Sequence, residues 1–225
     1  MTQKNMIKHV SCLFTLLAIV ACKDSEVERA LPILGNKDVE YITVNGKELA
    51  DTLFHTVREF EYLNQDSAYV TSKDLSGKIW ISDFFFSYCP TICPPMTSQM
   101  KRLNSNLSDL KDHIQFLSFS IDPDRDNPSR LREYRMLHGI KSSNWMFLTG
   151  DEKATHDLGV NYFFVAATDD PDEPGGFAHG DIFTLVDTYG RVRGIYHGTE
   201  THAVDSLEKD VRKLLRIEYG IEGDN

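Results

Sequence analysis

Two kinds of hydrophobic pattern alternate along the middle of the chain. Ile79-Trp80-Ile81-Ser82-Asp83-Phe84-Phe85-Phe86 is a short, mostly apolar run rich in β-favouring residues, which predicts a buried central strand. Met96, Met100, Leu103, Leu107 and Leu110 then recur at helical spacing and give one apolar face. Pro94 and Pro95 stand where that helix would start, a place where proline is well tolerated. Residues 114–120 predict a second strand, and Pro128 opens a second helix with Asp126 or Asn127 as its N-cap. A third strand is expected at 145–148, followed by a short helix over 151–158 closed by Gly159. Strands over 181–187 and 192–196 flank a turn at Thr188-Tyr189-Gly190. Val204, Leu207, Val211, Leu214 and Leu215 mark a last amphipathic helix ending near Gly220.

The flanking segments carry weaker patterns. Asn45-Gly46 marks a turn, and Leu49, Leu53 and Val57 suggest a short helix after it. Residues 168–176 hold four acids, two prolines and two glycines, which reads as a surface loop. Strand, helix, strand, helix, then a hairpin and a final helix describe an α/β fold with a central mixed β-sheet flanked by helices. That order, with an extra hairpin near the C-terminus, fits a thioredoxin-like fold.

The 225 residues, 41% of them hydrophobic, suit one domain with a short extension. The formal net charge of −10, without a long Lys/Arg run, argues against nucleic acid as a partner, because phosphate binding needs a basic face. Lys4 and Lys8 precede an apolar run from Val10 to Ala21, the pattern of a secretory signal. Its end, Ile19-Val20-Ala21-Cys22, resembles the cleavage motif of bacterial lipoproteins, after which the cysteine carries lipid. The expected organisation is a signal over 1–21, a linker over 22–38 and a folded domain over 39–222. The domain would be extracytoplasmic, on the periplasmic side of a bacterial membrane, tethered through Cys22.

Cysteine usage then becomes informative. Cys12 leaves with the signal and Cys22 is lipidated, so Cys89 and Cys93 alone remain in the domain. They fall between a strand end and a helix start, where exposed N–H groups and the helix dipole favour a thiolate. At helical rise their Cα atoms would lie ~6 Å apart, so the pair can close as a disulfide or hold one soft ion. Two cysteines are too few for a structural zinc site, so a third ligand has to come from elsewhere.

Tyr88-Cys89-Pro90-Thr91-Ile92-Cys93-Pro94 resembles the C-x-x-x-C-P motif of the Sco/SenC family. Ser120-Ile121-Asp122-Pro123-Asp124-Arg125-Asp126 resembles that family's second motif, and Gly176-Phe177-Ala178-His179 its third. The resemblance spans roughly residues 60–218. It implies a thioredoxin-like fold that binds copper, as Cu(I) or Cu(II), through Cys89, Cys93 and His179. It also implies a role in assembling cytochrome c oxidase, with the subunit carrying its copper site as partner, by copper delivery or by reduction of that site's thiols. Members often carry an acid just before the histidine; here Ala178 stands there, and Asp181 is a substitute by sequence proximity alone.

A second reading needs no metal: a thiol–disulfide oxidoreductase in which Cys89 attacks and Cys93 resolves. His179 separates the two, because disulfide exchange does not require it. A peroxide-reducing relative is disfavoured, since Phe86 stands where a threonine would be expected. Met96 and Met100 read as core, Asp122, Asp124 and Asp126 as a turn with a helix cap, and the remaining histidines as solvated or core, with His197 the most interesting of them.

Overall fold

A computed structural model describes residues 28–165, 167–169 and 177–223, with the backbone alone for 167–169 and 177–179. The signal segment, Cys22 and the acids of 170–176 lie outside the described residues. Seven strands form the main sheet: β3 (Glu61–Asn64), β4 (Tyr69–Thr71), β5 (Ile79–Phe85), β6 (Ile114–Ser120), β7 (Trp145–Thr149), β10 (Ile182–Val186) and β11 (Val192–His197). Their order is β11-β10-β5-β6-β7-β3-β4. β5, β6 and β7 are parallel to one another, and the other pairings are antiparallel.

The central strands are buried at every position, which is why they read as runs rather than as alternation. Each face of β5 nonetheless has its own neighbours. Trp80 and Phe84 meet Phe60 and Phe163 on one side. Phe85 packs on Tyr134 on the other, where Asp83 also points. Three helices cover that second face: α1 (Cys93–Asn106), α2 (Pro128–Leu137) and α4 (Thr201–Tyr219). Thr97 on α1 hydrogen-bonds Tyr134 on α2 at 2.7 Å, and Arg102 reaches Asp205 on α4 at 2.7 Å. Met96 and Met100 are fully buried, as their spacing predicts. Asn127, rather than Asp126, caps α2 by accepting from the Arg130 N–H. Gly220 ends α4 in the left-handed conformation, where a side chain would be strained.

Three local expectations are corrected. Leu49 and Leu53 belong to a strand, β2 (Lys47–Phe54), paired antiparallel with β1 (Lys37–Val44) across the Asn45-Gly46 turn. A four-residue spacing is even, so it fits one face of a strand as well as a helix. Second, Gly159 does not close α3 (Glu152–Leu158); the chain continues as a π-helical turn over Gly159–Phe163, and Phe164 takes the left-handed position with φ 59°. Third, 168–176 is not loop throughout. β8 (Ala167–Asp169) pairs with β9 (Phe177–His179) as a two-stranded ribbon, with Ala167 opposite His179.

Candidate functional site

The two cysteines sit where β5 gives way to α1. Cys89 lies in a turn closed by its own N–H donating to the Phe86 carbonyl at 3.1 Å, so it precedes the helix rather than occupying its first turn. Cys93 is the first helical residue, with Pro94 next to it inside the first turn. Turn geometry, not helical rise, brings the pair together: the Cys93 N–H points at the Cys89 sulfur, 3.5 Å away. Both are reduced and both are buried, Cys89 at 8% exposure and Cys93 at 1%.

Burial pushes the Cys93 thiol well up from its ordinary range, and its hydrogen bond and charge coupling to Cys89 push the same way. A backbone bond from Phe86 opposes this, while the buried Asp83 carboxylate raises it further. Cys89 is thus the less buried of the two, and the inner thiol holds its proton. Asp83 is a site residue that sequence reading passed over, because it sits inside an apolar run.

A second missed residue is Asp126. Its carboxylate, at 0% exposure, turns back from the α2 approach to the cysteine turn, accepting from the Ser87 N–H at 2.9 Å and from the Ser87 hydroxyl. The expected turn with a cap is present, but the cap falls to Asn127 and Asp126 serves the neighbouring loop. Asp122 is held by Arg125 instead.

The His179 backbone is placed in β9, and its side chain lies outside the description. Asp181 gives its two carboxylate oxygens to His197 Nδ1, at 2.9 Å, and to the Thr199 hydroxyl. These bonds outweigh the effect of burial and hold the Asp181 carboxyl below its usual range, while the same contact raises His197. Among the described residues no group of three or more His, Cys, Asp or Glu side chains is arranged to hold a metal. Of the three ligands expected from the sequence, the two cysteine sulfurs are the ones whose side chains are described.

A central mixed sheet with a dithiol at the junction of its first parallel strand and the following helix defines a thioredoxin-like dithiol protein. The chain belongs to the SCO1/SenC family, whose model matches residues 50–216. It is similar to the solved structure of a SCO1/SenC family lipoprotein from Bacillus anthracis, with 34% identity and a TM-score of 0.65, covering 71% of this chain and 94% of that one. BsSco, described as a member of the Sco family of cytochrome c oxidase assembly proteins with a disulfide switch, is 32% identical with a TM-score of 0.64, covering 72% and 95%. Yeast Sco1, solved with copper bound, is 27% identical with a TM-score of 0.56, covering 72% and 92%.

Proposed function

We propose that this chain captures copper through Cys89, Cys93 and His179 and delivers it during assembly of cytochrome c oxidase. The observation that carries the reading is the pair of buried cysteines converging at the start of α1. Thiolates are soft donors suited to Cu(I), and an added imidazole suits Cu(II). The residues present fit that cargo. Copper bound in yeast Sco1 supports the reading, as does the oxidase-assembly role stated for the family of BsSco. A lipid tether on Cys22 would hold the domain at the outer face of a bacterial membrane, in line with the lipoprotein of Bacillus anthracis.

The chain's own residues set the terms of capture. Because the Cys93 thiol is pushed up, it is protonated near neutrality and has to lose that proton when metal binds. Each proton released makes apparent affinity rise roughly tenfold per pH unit, so binding is expected to strengthen from pH 6 to pH 8 and to weaken on acidification. Anaerobic titration of the reduced domain should give about one copper per chain with both thiols consumed. Zinc preference, or two alkylatable thiols left after copper addition, would overturn the reading.

One observation favours thiol reduction as a second activity at the same site: the unequal burial of the two cysteines. Cys89 thiolate attacks one sulfur of a partner disulfide and expels the other as thiolate, which takes a proton. Cys93 gives its proton to that leaving thiolate, attacks the Cys89 sulfur and expels the partner's second sulfur, which takes up the proton that Cys89 had shed. The chain passes from dithiol to disulfide and the partner from disulfide to dithiol, so electrons balance without a metal.

A further inference from the structure

We infer that Asp126 is a positioning residue for Cys89, acting through a clamp on Ser87 built from the start of α2. The inference rests on Cys89 being the working thiol and does not depend on copper. Ser87 and Tyr88 are the central residues of the turn whose closing bond joins the Cys89 N–H to Phe86. Every polar group of Ser87 is taken from the far side of that turn. Its N–H donates to Asp126 at 2.9 Å and its hydroxyl donates to the other Asp126 oxygen. The same hydroxyl accepts from Arg130 Nε at 2.9 Å, and the Ser87 carbonyl accepts from Arg130 Nη2 at 3.4 Å. The Arg130 guanidinium also lies over the Tyr88 ring, 4.5 Å from its centre.

Asp126 itself is anchored on the sheet side. Ser120, the last residue of β6, donates its hydroxyl to Asp126 at 2.7 Å, and the Asp126 N–H donates to the Asp122 carbonyl at 2.9 Å. The carboxylate therefore joins the end of β6 to the cysteine turn in a site closed to water, where bonds to a charged acceptor are strong. Backbone geometry within 86–89 alone would leave a short turn free to open. With the clamp, the position of Cys89 over the Cys93 N–H is dictated by β6 and α2. A ligand-bearing turn is thus supported by a shell of fixed partners that sits one residue removed from the sulfur's own neighbour.

The two sides of Asp126 can be cut separately. Because Cys89 is buried, its alkylation requires the turn to open, and the clamp sets the cost of opening. In the reduced, metal-free domain at fixed pH, Asp126→Ala and Ser87→Ala should each speed Cys89 alkylation roughly tenfold, with Asp126→Asn in between. Ser120→Ala removes the sheet-side bond and should leave the rate within about twofold, since the loop-side bonds remain. In the double variant Asp126→Ala/Ser87→Ala the effects should fall short of additive, because both remove the hydroxyl bond between Ser87 and Asp126. Equal acceleration by Ser120→Ala and Asp126→Ala, or an unchanged rate in Ser87→Ala, would mean that Asp126 only braces the fold and would overturn the inference. If Asp126→Ala does not fold, Ser87→Ala and Asp126→Asn carry the same test. A normal alkylation pattern alongside absent copper binding would count against the proposed function and leave this inference standing.

Discussion

A His179→Ala chain is expected to lose strong copper(II) binding while its two thiols still close into a disulfide at the parent rate. The two halves of that expectation come from different parts of the molecule. The sulfurs are positioned by β5, α1 and the Ser87 contacts, all of which are remote in sequence from β9, where His179 sits. Copper(I) is satisfied by two thiolates, whereas copper(II) gains from an imidazole. Loss of a direct ligand should cost more than the roughly 10–100-fold that loss of an outer-shell partner costs. The measurement is paired: the thiolate-to-copper(II) absorption of the variant, and the rate of disulfide formation under mild oxidant without metal. An unchanged absorption band would remove His179 from the site. A lost band with full rescue of oxidase assembly in cells would assign the biological role to the thiols alone.

The core of the fold was legible because β5 and β6 are covered on both faces, which leaves long apolar runs, and because α1 and α4 keep one apolar stripe each. Asn45-Gly46 was legible too: both residues adopt positive φ, 53° and 76°, which Asn and Gly tolerate best. The hairpin arms around that turn were not, since Leu49 and Leu53 satisfy helical and strand spacing alike. At the site, Cys89, Cys93 and His179 were singled out through the three motifs that carry the family resemblance. Asp83 and Asp126 could not, because what distinguishes them is burial against partners distant in sequence. Asp126 lies 39 residues from the Ser87 that it holds, and a single sequence carries no sign of that contact. Nor does periodicity reveal that Phe164 would take the left-handed position expected of Gly159, because the π-helical turn depends on packing of Phe163 against Phe84 and Phe119.

The largest expected effect on stability belongs to Arg193→Ala. Arg193, on β11, is 3% exposed and lies between two carboxylates. Its Nη1 donates to Asp187 at 3.1 Å and to Glu218 at 2.8 Å, and Nη2 donates to the other Glu218 oxygen. The same guanidinium also holds the incoming chain: Nε donates to the Pro32 carbonyl at 3.0 Å, and Nη2 to the Leu31 carbonyl. Asp187 is fully buried, so removing Arg193 leaves its charge with Arg191 as the remaining cation. Breaking one partner of such a buried network costs about 3–5 kcal/mol, chiefly through the desolvated charge left behind. For a domain of this size that corresponds to a fall in Tm of roughly 10 °C. Arg193→Met combined with Asp187→Asn should recover much of the loss, because neither buried position then carries a charge. Residues 28–34 would still be released in both variants, so limited proteolysis should cut there sooner in each, whereas thermal stability should separate them. A Tm within 2 °C of the parent for Arg193→Ala would mean that water or Arg191 compensates Asp187, and the network would then serve only to hold the irregular segment over residues 28–34.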